Sequence, residues 1–512
     1  MLKSNKKSFA LNATLLAIGG LICKIIGAVY RIPLVKLLSA SGMGLYQTAF
    51  PIFTILLTIT SGGIAQTISA LINQDENNAT RGIVNAGFWV VTLASFSLSF
   101  ILYFLSPVIA NIQGVVGARD CYRVLIPAIV FSGYSAVIKG YFQSKSNVTP
   151  TIIAQLIEQI SKLVFGLLLA SIFVKYSITN GVIGALLGVS ISELLCFLFL
   201  FIRYMFRKDK ETPSNIPKSY SFIRLLKTNL PLVLGGLILP LSSLVDSVSV
   251  VNILSKTIPI DFATAMYGIQ TGVVATLTNL PAVFTLALGV TIVPVMCNRE
   301  NNGTRVLKKG RISIKLALLV CIPLSLLLAI LASNIIDFLY PSMSVDERRI
   351  ASICLAISSL GIVPLGISQI YSSLLFSVGL TKLSARNLII AVVIKCIVLV
   401  PLLNSLSIYG ASISTALCYT VACLLNARSW HKLDSDFTRN IADIKLLFAG
   451  ILSVLPVFLA KMFISTYFLF ALSIVCMVLY LYTVIRLGAL TDEEIKSIPF
   501  IHRLQKRFRS IK

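Results

Sequence analysis

The chain has 512 residues, 56% of them hydrophobic and only 12% charged, with a mean hydropathy of +0.90. No soluble globule hides that much apolar surface, so the composition excludes a soluble domain and indicates a membrane protein. Forty-four Lys and Arg against nineteen Asp and Glu give a net charge of +25. In a soluble chain that balance would suggest nucleic acid, but here most cations sit in loops between apolar runs. Attraction to anionic lipid headgroups accounts for them, and no nucleic-acid partner is indicated.

Crossing ~30 Å of hydrocarbon takes roughly 20 apolar residues. On that criterion the sequence predicts an all-α polytopic membrane protein with about fourteen transmembrane helices. Six, near residues 22, 58, 96, 132, 163 and 192, form an N-terminal six-helix lobe over 1–206. The first follows a basic start, as a signal peptide does. It runs too long for one and carries Lys24 and Arg31, so it is read as a retained helix. A basic linker over 207–220, with Pro213 and Pro217, leads to a C-terminal six-helix lobe over 221–432, with helices near 240, 280, 325, 363, 394 and 418. Helices 13 and 14, near 452 and 477, occupy 433–487, and a tail follows over 488–512. With the N-terminus inside, about 31 of the 44 basic residues fall in cytoplasmic segments, the bias expected of short loops beside spans. Both termini are therefore expected to be cytoplasmic.

The two lobes show weak internal similarity. Ile183-Gly184-Ala185 opens a run through Ser190, Glu193 and Cys196, and Tyr409-Gly410-Ala411 opens a comparable one through Ser414, Ala416 and Cys418. Lys162 answers to Lys395, Tyr46 to Tyr267 and Pro51 to Pro281, at nearly constant offsets. Each repeat would start on the same side of the membrane, so the lobes are predicted to be related by a pseudo-two-fold along the membrane normal. Such a pair encloses a central cavity that opens to either side by rocking, as a transporter's does.

An ionised side chain at the bilayer centre costs roughly 2.5–3.5 kcal/mol on insertion scales, yet this chain places several there. The basic ones are Lys24 and Arg31 in span one, Lys139 in span four, Lys162 in span five and Lys395 in span eleven. The acidic ones are Glu158, Glu193 and Asp246, read as structural or coupling charges. Lys24 and Arg31 lie seven apart, so they share one helix face. They face either the cavity or, by snorkelling, the interface. Glu158 and Lys162, four apart, are spaced to pair along their helix, and Glu193 and Asp246 either anchor helices or answer Lys395. The surplus of cations predicts a net positive cavity and an anionic cargo, with Lys24, Arg31, Lys162 and Lys395 as the candidate binding set. Proline and glycine interrupt many spans. The cluster Pro231, Gly235, Gly236 and Pro240 in span seven is the best candidate for a hinge.

The ten cysteines are scattered without a CxxC pair, so neither a metal site nor a disulfide framework is indicated, and no cofactor is expected. The histidines, His431 and His502, fall in cytoplasmic segments with no acid or nucleophile cluster around them, which argues against an enzyme.

Two stretches carry a family resemblance. One is Lys24-Ile25-Ile26-Gly27 through Tyr30-Arg31-Ile32-Pro33, then Gly42-Met43-Gly44-Leu45-Tyr46-Gln47, Pro51 and Ser61-Gly62-Gly63-Ile64. The other is Lys139-Gly140-Tyr141-Phe142-Gln143, then Pro150-Thr151, Gln155, Glu158-Gln159 and Lys162. These resemble the stage V sporulation protein B branch of the polysaccharide transporter family, related to MurJ-type lipid II flippases within the multidrug/oligosaccharidyl-lipid/polysaccharide exporter superfamily. The resemblance implies two six-helix lobes, a central cationic cavity and alternating access. It also implies undecaprenyl-diphosphate-linked saccharide as cargo, with Lys24 and Arg31 at or beside positions that contact the diphosphate, and cell-wall synthesis machinery as a partner. The last two helices would form a groove for the lipid tail. Ser144 stands where the family's GYFQG pattern ends in glycine, and Tyr46-Gln47 and Ile55-Leu56 stand where the Gram-negative MurJ branch carries an acid and an arginine. The alternatives are a cation-coupled multidrug antiporter, with Asp246 and Glu193 carrying the ion, a membrane transferase, or a scaffolding protein.

Overall fold

The computed structural model of the chain describes residues 2–74, 80–207, 218–296, 303–432 and 441–489. The linker expected over 207–220 and the tail over 488–512, with His502, fall largely outside them. Among the described residues there are helices and no strands, as a bilayer demands: lipid offers no hydrogen-bond partner, and a helix satisfies its own backbone. The chain divides into two compact units, Met1–Thr276 with Val392–Ala411, and Leu277–Ala391 with Ser412–Lys512.

In the first unit, α1 (Leu2–Thr60) and α2 (Ile64–Gln74) precede α3 (Thr80–Ile112), α4 (Ala118–Val124) and α5 (Ile126–Ser144). Next come α6 (Thr149–Phe173), α7 (Ile178–Met205), α8 (Lys218–Gly236), α9 (Ile238–Leu254), α10 (Ile260–Gly268) and a π-helical turn over Ile269–Val274. The boundary between units falls in α11 (Ala275–Met296). The second unit holds α12 (Gly303–Ile330), α13 (Ala332–Leu339), α14 (Val345–Ser359) and α15 (Ile362–Ser377). The second half of α16 (Thr381–Leu406) belongs to the first unit, whereas most of α17 (Tyr409–His431) and all of α18 (Ile441–Ala460) and α19 (Thr466–Arg486) belong to the second.

Among the described residues ten helices are long and apolar enough to cross a membrane, or twelve if each of two bent pairs counts as one span. The expected fourteen is not reached on this criterion, for two visible reasons. The run Ile18–Gln74 is 57 residues long and counts once, although a bilayer needs only roughly 20. Ser39 breaks it, at φ 61° and ψ 178° inside α1, a region that side-chain-bearing residues rarely visit. Second, Ile444–Ala460 is apolar but too short to qualify. The break in α1 falls at a serine, not at Pro33 or Pro51, both of which lie inside helix.

Each unit has its own apolar core. In the first, Ile64, Ile68 and Leu71 of α2 meet Val84 and Val91 of α3, Val137 and Tyr141 of α5, and Cys196 and Leu200 of α7. In the second, Ile314, Leu318 and Ile322 of α12 pack with Leu374 of α15, the fully buried Trp430, Leu446 of α18 and Tyr480 of α19. Outward faces stay apolar, as on α3, where Phe96, Phe100 and Phe104 are exposed; lipid replaces water as their solvent. Small residues let helices touch where membrane packing depends on close approach. A Cβ on Gly188 of α7 would lie 2.3 Å from the Cα of Gly166 on α6, and one on Gly184 would lie 2.5 Å from the carbonyl of Leu169.

Candidate functional site

The intramembrane charges of the first unit fall into three settings. On α1, Lys24 is exposed and makes no ion pair or hydrogen bond among the described residues. Arg31, two turns on, is half-buried. It donates to the Thr276 hydroxyl at 2.7 Å and reaches the Thr271 carbonyl at 3.5 Å. That carbonyl lies in the π-helical turn, whose looser winding disturbs the regular helical hydrogen bonding and which often marks functional sites. Close packing makes the contact possible. A Cβ on Gly268 would sit 2.4 Å from the Gly44 amide nitrogen, so α1 and α10 approach backbone to backbone.

The second setting is a polar cluster among α5, α6 and α7. The carboxylates of Glu158 and Glu193 and the thiol of Cys196 lie within 4.8 Å of one another. Lys139 faces all three, and Glu193, which is almost fully buried, also faces Lys162. The Glu158–Lys162 pair expected from their spacing does not form among the described residues. Glu158 accepts instead from Gln159 Nε2 at 3.0 Å, and the Lys162 ammonium sits 5.9 Å from the Tyr30 ring centroid and 5.4 Å from that of Phe50. Aromatic faces attract a desolvated ammonium by cation–π interaction. A thiol and two carboxylates resemble a metal-ligand set, but two ammonium groups alongside already supply the positive charge that a metal would bring.

The third setting joins α9 to α16. Lys395 Nζ donates to Asp246 Oδ2 at 2.5 Å, with the Ser242 hydroxyl at 3.4 Å. The Lys395 side chain is 8% exposed and that of Asp246 21%, so the pair is shielded from solvent. The second oxygen, Asp246 Oδ1, is buried without a hydrogen-bond partner among the described residues. Asp246 thus answers Lys395, and the pair joins α9 to α16.

The hinge candidates lie where α8 and α9 meet at Leu237 with a bend of 41°. Pro231 is inside α8, Gly235 and Gly236 end it, and Pro240 falls in the first turn of α9, where proline removes no needed donor. A second bend of 43°, between α14 and α15, has no counterpart among the sequence candidates.

Sequence reasoning missed the neutral oxygens that hold Arg31, the rings beneath Lys162 and the grouping of Glu158 with Glu193 and Cys196. The first two are contacts between helices far apart in sequence, and the third joins the successive helices α6 and α7. The only hint was that Tyr30, Lys162 and Glu193 each stand inside an otherwise apolar span.

Comparison with known proteins places this geometry in context. Residues 9–300 match the polysaccharide biosynthesis protein family. The chain is 26% identical over 303 residues to stage V sporulation protein B of Bacillus subtilis (strain 168), a match covering 57% of this chain and 58% of that protein. It is 24% identical over 439 residues to lipid II flippase MurJ of the same organism, covering 80% of each. The fold is similar to that of lipid II flippase MurJ in an inward closed conformation, with a TM-score of 0.74 at 18% identity over 92% of this chain and 97% of that one. It is also similar to an inward-facing multidrug resistance MATE family transporter, with a TM-score of 0.61 at 17% identity over 83% and 100%. The family match takes in more than half of the sequence, and its apolar helices carry a fold similar to that of MurJ: this multi-pass membrane protein belongs to the polysaccharide biosynthesis protein family.

Proposed function

We propose that the chain is a flippase that moves undecaprenyl-diphosphate-linked saccharide, lipid II or a related wall, spore-cortex or polysaccharide precursor, across a bacterial plasma membrane. The observation that carries this reading is Lys24. It is a lysine inside a span, on the same helix face as Arg31, with no carboxylate beside it among the described residues. Cations at membrane depth carry a cost that a structural role does not repay unless something anionic meets them. Lys24 and Arg31 would hold the diphosphate; of the other two cations expected to add positive potential, Lys162 would do so, whereas Lys395 is matched by Asp246. Two six-helix lobes, 1–206 and 221–432, would rock about the Pro231–Pro240 hinge, with both termini in the cytoplasm, a reading supported by the excess of basic residues in the loops on that side. An inside-negative potential would favour outward movement of two negative charges, by roughly 2.3 kcal/mol per charge per 100 mV. The family resemblance favours transport over catalysis and leaves cell-wall synthesis enzymes as proposed partners.

The test is complementation of a strain depleted of its lipid II flippase, with wild type and Lys24→Ala/Arg31→Ala expressed equally. Rescue by wild type alone supports both cargo and site. Rescue by both keeps the cargo and removes the site, and rescue by neither removes lipid II. The MATE-like fold and the buried carboxylates favour one second reading, a cation-coupled multidrug antiporter. Loss of transport in Asp246→Asn with Lys24→Ala harmless would select it.

A further inference from the structure

Gln159 has no role in the function proposed above, yet it stands against the α1 face that carries Lys24 and Arg31. Lys24, Gly27 and Arg31 follow one another at three and four residues, so Gly27 lies between the two cations on their shared face. A Cβ on Gly27 would lie 3.4 Å from Gln159 Oε1, and one on Gly19 would lie 2.8 Å from Ile152 Cγ2. The helices α1 and α6 therefore run side by side in the same direction, with 155–159 beside 23–27. Gln159 Nε2 donates to Glu158 Oε1 at 3.0 Å. A carboxylate only accepts, so this bond engages the amide nitrogen and leaves the carbonyl oxygen turned to α1. Gln159 is half-buried, and its Oε1 accepts no hydrogen bond among the described residues. Gln155, one turn earlier on α6, is also half-buried, and its carboxamide makes no hydrogen bond among the described residues.

We propose that Gln159 reads the saccharide of the cargo, its Oε1 accepting a hydrogen bond from a hydroxyl or amide N–H of the sugar next to the diphosphate. The inference rests on the diphosphate site proposed above at Lys24 and Arg31. An acceptor placed between two cations separates the parts of a lipid-linked saccharide by their chemistry. An ionised diphosphate carries only acceptors and would meet Oε1 lone pair to lone pair. A polyprenyl chain has neither donor nor acceptor, so the donors come from the sugar. A site built to hydrogen-bond such a group disfavours the analogue that lacks it, because its own polar atom is then left unpaired. Gly27 leaves the space before Oε1 open, where any β-carbon would stand.

The full-length protein in detergent is offered undecaprenyl diphosphate, bare or carrying a single N-acetylglucosamine, and retained lipid is quantified by native mass spectrometry. Wild type is expected to prefer the sugar-bearing lipid. Gln159→Leu removes the acceptor and is expected to weaken retention of that lipid about fivefold, the scale of one neutral hydrogen bond, with the bare lipid held as before. Gly27→Ala keeps the carboxamide and fills the space before it, at an ordinary contact distance of 3.4 Å. It should lose the same preference, and it carries the test if the Gln159 variant does not fold. Lys24→Ala/Arg31→Ala is expected to lose both lipids together. Wild-type preference in Gln159→Leu and Gly27→Ala, with both lipids lost from the double variant, overturns the role of Gln159 and leaves the diphosphate site standing. Equal loss of the two lipids in Gln159→Leu overturns it as well, since a contact to the sugar cannot weaken the bare diphosphate. Undiminished retention of bare undecaprenyl diphosphate by the double variant removes the diphosphate site, and this inference with it.

Discussion

Removing one partner of the Lys395–Asp246 pair tests whether it holds α9 to α16. With both side chains largely shielded, Lys395→Met leaves a carboxylate with neither oxygen answered by a cation, since Asp246 Oδ1 already lacks a partner among the described residues. Breaking a buried pair in this way costs about 3–5 kcal/mol, because the remaining charge stays desolvated. Asp246→Leu removes the carboxylate from Lys395 and leaves the Ser242 hydroxyl at 3.4 Å beside its ammonium, at a cost of similar order. The double variant Lys395→Met/Asp246→Leu removes both charges and is expected within about 1 kcal/mol of wild type, as apolar replacement of a buried pair is often neutral. The cycle should therefore show strong coupling, read by reversible denaturation in mixed micelles with Trp89 and Trp430 fluorescence as the signal. Single variants that each cost less than about 0.5 kcal/mol, and that add, would refute the reasoning. A swap, Lys395→Asp/Asp246→Lys, then separates pairing from cargo contact. If stability returns and transport does not, the position of the ammonium matters beyond the pair.

Three further outcomes follow from the packing and the charges. Gly188→Ala sets a methyl 2.3 Å from the Gly166 backbone and is expected to destabilise by about 1–3 kcal/mol through overpacking, seen as a lower midpoint in thermal unfolding. Trp430→Ala empties the middle of the second unit's core and should cost about 3–5 kcal/mol, measured the same way. Lys24→Ala should abolish complementation while changing stability by no more than about 0.5 kcal/mol, because the side chain is exposed and makes no contact that folding needs.

The membrane class and most of the helices were legible because one constraint, backbone satisfaction in lipid, acts on every span and writes itself as apolar length. The break at Ser39 was not legible. Proline is the residue that local rules flag, and neither Pro33 nor Pro51 is where α1 departs from helical geometry. The charges were legible as intramembrane, but their partners were not. Helical periodicity assigned Glu158 and Lys162 to each other, yet it fixes only which residues share a face and not what that face meets. In the fold it meets Tyr30 and Phe50 from α1, more than a hundred residues away. Lys395 and Asp246, separated by 149 positions, could be named together only as one option among several.

The arrangement of these partners bears on the sign of what the protein carries. Each of the three acids noted inside the spans lies beside an ammonium: Asp246 beside Lys395, and Glu158 and Glu193 beside Lys139, with Lys162 also facing Glu193. A carboxylate already matched by a lysine offers an incoming cation little, because binding would first have to displace a tethered charge of the same sign. The basic side chains on α1 stand differently, with Lys24 exposed and Arg31 held at Thr276 and Thr271 by neutral oxygens. An incoming diphosphate would offer ionised acceptors in place of a hydroxyl and a carbonyl, adding charge on the acceptor side to bonds whose donor is already ionised. The same exchange would release the π-helical turn that Arg31 holds, so loading of an anion and rearrangement of that turn would be linked through one side chain. These placements support the anionic cargo at α1 proposed above over the cation-coupled alternative among α5, α6 and α7.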